Sequence, residues 1–393
     1  MIEKIIVFTG SKKDFHKFVD KSISQGEEKL AFMELIQQYN ARLRPSESGI
    51  RESTLRHRVS VENCIVEADD YGSVLDHVLA NFVNIVCTNH DIGTLYIHNP
   101  PKRVLGSLEA YASNEEECLI EYKATSYRSI TKVNLKKIYE NLNSEILGQD
   151  DCKKQLISGL YKNIKSKTNK PSVLLLYGPS GVGKTQSAKN VSKTLGGELL
   201  RIQFSMMQTN EAYNYVYGAE HSHSSFARDL QGRETNIVLI DEFDKVNPGF
   251  YNAFYELFDD GMYVDTNYIV DCRKTTFILT SNFSSEEEIK RVLGPAMFSR
   301  IGSFVKYEEI GNDEKLEIIK KWYSAILEQL DKEDREYIRH QNILEWFKEN
   351  VSRYNNIRLM KSRMENAIYD SLADRLIQSV NKLNTTQERK IYE

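Results

Sequence analysis

Gly178-Pro179-Ser180-Gly181-Val182-Gly183-Lys184-Thr185 is the stretch on which the fold turns. Its spacing is that of a phosphate-binding loop, in which glycines let successive backbone N–H groups curl around phosphates while the lysine reaches the terminal ones. The flanks agree. Ser172-Val173-Leu174-Leu175-Leu176-Tyr177 has the composition of a buried strand, and Thr185 to Leu195 reads as a helix stopped by Gly196 and Gly197, so a helix N-terminus faces the anion. Further along, the apolar run Ile237-Val238-Leu239-Ile240 delivers Asp241 and Glu242 side by side. Mg2+ takes hard oxygen ligands and keeps several waters, so the Thr185 hydroxyl and the Asp241 carboxylate form a suitable protein contribution. Glu242, one residue on, points elsewhere and is placed to orient an attacking water. These residues imply a site for a nucleotide triphosphate, its metal and a water-activating base.

The rest of the chain bounds that inference. A length of 393 residues suggests two or three domains, and 40% hydrophobic content is ample for real cores. Five cysteines, at 64, 87, 118, 152 and 272, contain no Cys-x-x-Cys pair, which argues against a zinc ribbon or a disulfide scaffold. There is no long uncharged apolar stretch, and Glu3 and Lys4 interrupt the early apolar run, so a soluble, cytoplasmic protein without signal peptide or membrane span is expected. Net charge is −4, with 15 basic against 19 acidic residues in 1–130 and 37 of each thereafter. Such a balance lacks the electrostatic footprint of a nucleic-acid binder. The basic stretch Arg42, Arg44, Arg51, Arg56 and Arg58 reads as a solvated loop.

Three segments emerge. Residues 1–128 read as an α+β module of unassigned role, with strand character at Ile2 to Phe8, Val59 to Val66, Asn84 to Cys87, Thr94 to His98 and Leu119 to Tyr122. No repeat, metal cluster or nucleophile–base pairing is visible in these residues. Residues 129–310 alternate strand and helix patterns as a three-layer parallel sheet requires, with strands at Val173–Tyr177, Leu199–Phe204, Ile237–Ile240 and Thr276–Thr280. Ligands of such sheets sit beyond the carboxyl ends of the strands, where both the phosphate loop and the acidic pair fall. Residues 311–393 are helical throughout and read as a lid, with Asp313 as a cap and Met360, Met364, Ile368, Leu372 and Leu376 as a core stripe.

In order and spacing, the motifs of residues 140–380 resemble those of the AAA+ ATPases, and among them the Clp-type protein unfoldases, specifically the second ATPase module of ClpB-like disaggregases. Ile146-Leu147-Gly148-Gln149 stands where that family has an adenine-contacting turn, and Leu200-Arg201-Ile202-Gln203-Phe204-Ser205-Met206 looks like its second strand. Asp241-Glu242-Phe243-Asp244-Lys245 is similar to its acidic box, with Phe258-Asp259-Asp260-Gly261, Thr280-Ser281-Asn282 and Pro295-Ala296-Met297-Phe298-Ser299-Arg300 following. The resemblance implies ATP and Mg2+ as cofactors and roles for further residues. Asn282 becomes the first sensor, holding water opposite Glu242. Arg300 becomes an arginine finger reaching the phosphate bound by a neighbouring copy, which requires an oligomer, in this family usually a ring of six. Arg358, in Tyr354-Asn355-Asn356-Ile357-Arg358, becomes the second sensor of the lid. Tyr215, Val216 and Tyr217 occupy the place of the aromatic pore loop that grips polypeptide, although Asn214 replaces a leading glycine and a tyrosine precedes Gly218.

The function implied is ATP-driven unfolding or remodelling of proteins delivered by residues 1–128 or drawn in through the pore. A rival is a nucleotide-dependent switch in which lid closure or ring assembly controls an attached effector and nothing is threaded. DNA remodelling is disfavoured by the neutral charge balance.

Overall fold

A computed structural model describes residues 2–43, 59–115, 117–165, 168–204 and 209–391. The arginine-rich stretch 42–58 lies outside them apart from the backbone at 42 and 43, and Ser205 and Met206 of the second-strand motif lie outside as well.

The first unit holds five strands, β1 (Ile2–Thr9), β2 (Lys29–Ala31), β3 (Val59–Val66), β4 (His90–His98) and β5 (Leu119–Ala124), in the order β2-β3-β4-β1-β5. Every neighbouring pair is parallel. The α+β expectation is therefore corrected to a parallel α/β unit. Side-chain periodicity finds strands but carries no information on their relative direction; the helices Lys12–Ser22, Phe32–Leu43 and Lys102–Asn114 supply the crossovers that parallel pairing needs. Consecutive burial of Ile5, Ile6, Val7 and Phe8 fits a strand covered on both faces. Asn84 to Cys87, expected as a strand, lies in a π-helical turn, Asn84–Thr88, that buries Ile85, Val86 and Cys87. An apolar run this short does not distinguish the two periods.

The second unit holds β6 (Ser172–Tyr177), β7 (Leu200–Gln203), β8 (Ile237–Asp241), a small antiparallel hairpin β9 (Met262–Val264) and β10 (Ile269–Asp271), then β11 (Thr276–Thr280) and β12 (Ser303–Lys306). The main sheet runs β12-β6-β11-β8-β7, all parallel. The four expected strands are present; β12 and the hairpin were not expected. Alternate residues of β6 feed two cores, Leu174 and Leu176 toward the helices Lys132–Glu145, Asp150–Lys165 and Lys184–Leu195, and Val173, Leu175 and Tyr177 toward the opposite layer. The helices Asn312–Gln329, Lys332–Arg339, Ile343–Glu349 and Ile357–Ile391 follow, with Met360, Met364 and Ile368 fully buried. Gly311, not Asp313, is the N-cap of the first; Asp313 sits in its first turn, where a carboxylate complements the helix dipole. Among the described residues no helix is long and apolar enough to cross a membrane.

With the strands of each five-stranded sheet numbered by themselves, both sheets have the order 5-1-4-3-2. The correspondence extends to single residues. Gly10 and Gly178 each follow the first strand with φ of +133° and +130°. Each closes on the residue after the fifth strand: a Cβ on Gly10 would lie 2.1 Å from Thr125 Oγ1, and one on Gly178 2.2 Å from the Tyr307 carbonyl oxygen. The Thr125 N–H donates to the Thr9 carbonyl at 2.9 Å, as the Tyr307 N–H does to Tyr177 at 2.8 Å. Asn99, after the fourth strand, donates its N–H to Phe8 at 2.9 Å, matching Ser281 to Leu176 at 3.0 Å.

Candidate active site

At the carboxyl ends of β6, β8 and β11 the second sheet opens into a cavity of about 380 Å³. Ser180, Gly181, Gly183, Lys184 and Thr185 line it from the phosphate loop, Asp241 and Glu242 from β8, Asn282 from beyond β11, and Arg358 from the last helix. The loop has room because five residues separate Gly178 from the helix that starts at Lys184. Gly181 and Gly183 take φ of +84° and +109°, backbone that L side chains rarely adopt.

Lys184, only 8% exposed, donates to the carbonyls of Gly178 at 2.7 Å and Pro179 at 2.6 Å and to Asn282 Oδ1 at 3.3 Å. Burial pulls its pKa down to about 8, against the opposing pull of Asp241 and Asp244. The buried Asp241 carboxylate lies 3.4 and 3.5 Å from the Thr185 hydroxyl and also accepts a short hydrogen bond from Thr280. Glu242 has φ of +55°, a left-handed backbone that turns it away from Asp241. Its N–H donates to Thr280 Oγ1 at 3.0 Å, and its carboxylate accepts from Gln203 at 3.1 Å.

The structure also supplies a residue that sequence reasoning missed. Arg201 donates to Asp241 Oδ2 from Nε at 2.9 Å and Nη2 at 2.5 Å. The available signal was the alternation in Leu200-Arg201-Ile202-Gln203, which puts Arg201 and Gln203 on one side of β7, with Gln203 in register with Asp241. Trp322, Lys189 and Lys361 also line the cavity and were not anticipated.

The Ile146–Gln149 turn lies next to this cavity. Ile146 is buried beside Gly183, and Leu147, Gly148 and Gln149 line a neighbouring space of about 290 Å³ with Ile310 and Gly311. Gln149 exchanges two hydrogen bonds with the main chain of Glu308, 2.7 and 3.1 Å, tying the turn to the start of the lid.

Arg300 does not line its own chain's cavity. It donates to Asp259 at 2.9 and 2.6 Å and stacks over the Tyr255 ring at 4.4 Å.

The pore segment departs most from expectation. Residues Thr209–Tyr217 form a helix, and Tyr215 and Val216 are 6% and 1% exposed. Tyr215 packs edge-on to Phe204 and donates its hydroxyl to Asp229 at 2.6 Å. Tyr217 is half-buried, and its hydroxyl donates to the Gly249 carbonyl at 3.3 Å. A ring that grips substrate must be accessible, so the assignment of Tyr215 and Val216 as an open pore loop is corrected for this conformation. The exposed ring is Tyr213, 57% accessible and 4.8 Å from that of Tyr217.

A parallel sheet of this order, a glycine-rich phosphate loop, an acidic pair at the next-but-one strand and a helical lid define an AAA+ ATPase module. Comparison with known proteins narrows the class. Residues 169–337 match the family described as AAA domain (Cdc48 subfamily). Chaperone protein ClpB of Wolinella succinogenes is 29% identical over 222 residues, covering 49% of this chain and 26% of that protein. ClpB of Malacoplasma penetrans is 24% identical over 290 residues, covering 63% and 41%. The ClpC ATP-binding subunit of Staphylococcus saprophyticus is 21% identical over 251 residues, covering 52% and 31%. A closed-state structure of Hsp104 with ATPγS and FITC casein shares the fold, with a TM-score of 0.53 at 14% identity over 95% of this chain and 88% of that one. The module is similar to the ATPase modules of Clp-type proteins such as ClpB. This chain spans about a quarter to two-fifths of the length of the two ClpB relatives, 26% and 41%.

Proposed function

We propose that this chain hydrolyses ATP and uses the cycle to remodel protein substrates within a ring of copies, six in number. The convergence of Lys184, Thr185, Asp241, Glu242, Asn282 and Arg358 on one cavity carries this reading. Lys184 exchanges its present carbonyl partners for phosphate oxygens, and the loop N–H groups bind the rest. Glu242, turned away from Asp241, orients the attacking water and accepts its proton, with Asn282 on the opposite side. Thr185 and Asp241 suit Mg2+: both present hard oxygens, and the buried Asp241 already holds a cationic partner in Arg201. When bound, Mg2+ neutralises charge on the phosphates. Arg358 links the lid to the nucleotide, so lid position follows its state. Arg300, outside its own cavity, supplies its charge to the next copy.

The test pairs phosphate release with unfolding of a tagged, folded reporter protein. Wild type hydrolyses ATP and unfolds the reporter, and Glu242→Gln does neither while still binding ATP. Hydrolysis without unfolding favours a second reading, in which the nucleotide cycle switches an attached effector. Burial of Tyr215 supports that alternative.

A further inference from the structure

The helix Thr209–Tyr217 has little reason of its own to be helical. It is nine residues long and contains Asn214, Val216 and three tyrosines, below the length and outside the composition at which isolated helices hold. Packing holds it. Tyr215 is pinned to Asp229, the Val216 carbonyl accepts from Tyr263 at 2.5 Å, and the Tyr217 carbonyl accepts from Thr266 N–H and Oγ1 at 3.0 and 2.8 Å. The helix therefore depends on two neighbours, the segment 218–232 and the tip of the β9–β10 hairpin.

The first unit grips both. The Lys102 N–H donates to the Asn267 carbonyl at 2.8 Å, and Lys102 Nζ donates to the Asp265 carbonyl at 2.7 Å. Asn267 in turn donates to the Ala219 carbonyl at 2.7 Å, joining hairpin tip and segment. Arg228 Nη2 donates to Asp69 Oδ1 at 2.8 Å and to the Ala68 carbonyl at 3.4 Å. Gly72 sits so close to the His221 carbonyl oxygen that a Cβ would lie 3.0 Å from it. Arg228 and Asp229 are adjacent, so one residue holds the first unit while the next holds Tyr215. The Arg228–Asp69 pair is screened, since Asp69 is 64% exposed, and an exposed ion pair is individually weak. A set of small contacts of this kind is reversible.

We infer that the first unit is a cis clamp: docked on residues 218–228 and 265–268, it keeps the helix Thr209–Tyr217 folded with Tyr215 buried, and its release frees that aromatic segment. This names a regulation of the remodelling activity proposed above and rests on that reading only where polypeptide is concerned.

Hydrogen–deuterium exchange of residues 209–217 in the full chain tests it with three variants. Arg228→Glu, which leaves every nucleotide-contacting residue in place, raises exchange about threefold to fivefold, and the charge swap Asp69→Arg/Arg228→Glu restores protection. Gly72→Cys/Ser222→Cys bridges the two units where a Cβ on residue 72 would lie 3.6 Å from Ser222 Cα, and in its oxidised form it protects the helix until reduced. Retained ATP binding shows that each variant is folded. Unchanged exchange in Arg228→Glu, or protection not recovered in the swap, overturns the clamp. Binding of reduced, carboxymethylated α-lactalbumin is measured alongside. Tighter binding by Arg228→Glu and loss in the stapled form support the clamp as a substrate gate. Increased exchange with no polypeptide bound by any variant leaves the clamp standing and removes the remodelling reading instead.

Discussion

At the carboxyl ends of its two sheets this molecule treats one strand order in opposite ways. In the second sheet Gly178 is followed by five residues before a helix begins, and the loop they form leaves about 380 Å³ open in front of Lys184. In the first, Gly10 is followed by Ser11 alone, which caps the helix Lys12–Ser22 directly. The groups a phosphate would use are consumed internally there. The Gly10 N–H donates to Asn99 Oδ1 at 2.8 Å, the Ser11 N–H donates to Thr125 Oγ1 at 2.9 Å, and the Gly10 carbonyl accepts from Asn99 Nδ2 at 2.8 Å. Lys12 starts its helix as Lys184 does, yet its ammonium is closed into an ion pair with Glu67 at 2.6 Å and Asp69 at 2.8 Å. Strand order alone thus makes no nucleotide site. Loop length and the open volume in front of it do.

The largest effects should separate the two ends by chemistry. Glu242→Gln lowers phosphate release on the order of 10³-fold while fluorescent-nucleotide titration shows binding retained. Glu67→Gln, at the register position of Asp241 in the other sheet, leaves turnover within about twofold if that end plays no part in the chemistry. Next come the two glycines. Gly10→Ala and Gly178→Ala each force a Cβ into positive-φ backbone and against the residue after the fifth strand, and each costs about 3 kcal/mol in denaturant unfolding. Only Gly178→Ala also weakens nucleotide binding.

A smaller effect is set by pH. Burial holds the Lys184 pKa at about 8, below its ordinary value, so the free site loses its charge as pH rises through 8, and bound phosphates must restore it. ATP affinity is therefore full below pH 8 and falls about tenfold between pH 7 and 9, as titration at the two values will show. An increase over that interval contradicts the assignment. The smallest effect belongs to the closed end: Lys12→Met removes a partly exposed pair and shifts stability by less than about 1 kcal/mol, with ATP affinity unchanged.

Much of the open site was legible because its parts are local. Gly178 to Thr185 and Asp241-Glu242 are short runs whose spacing states their chemistry, and the fold brings them together. Arg201 was harder, since its pairing with Asp241 spans 40 residues and depends on strand register. The likeness of the two sheets was not legible at all. It resides in strand order and in closures such as Gly10 on Thr125, contacts between residues 115 apart with no shared motif. β12 escaped notice because only Phe304 and Val305 of its four residues are apolar. Tyr215 was misplaced for a related reason: an aromatic run of a few residues looks the same whether a loop exposes it or a neighbouring helix buries it.

The central claim is that one sheet end binds nucleotide and the other is sealed by its own side chains. Isothermal titration of the full chain with ATPγS and Mg2+ measures this directly. One equivalent per chain, lost in Lys184→Ala, is the predicted result. Two equivalents per chain, or one that persists in Lys184→Ala, would contradict it.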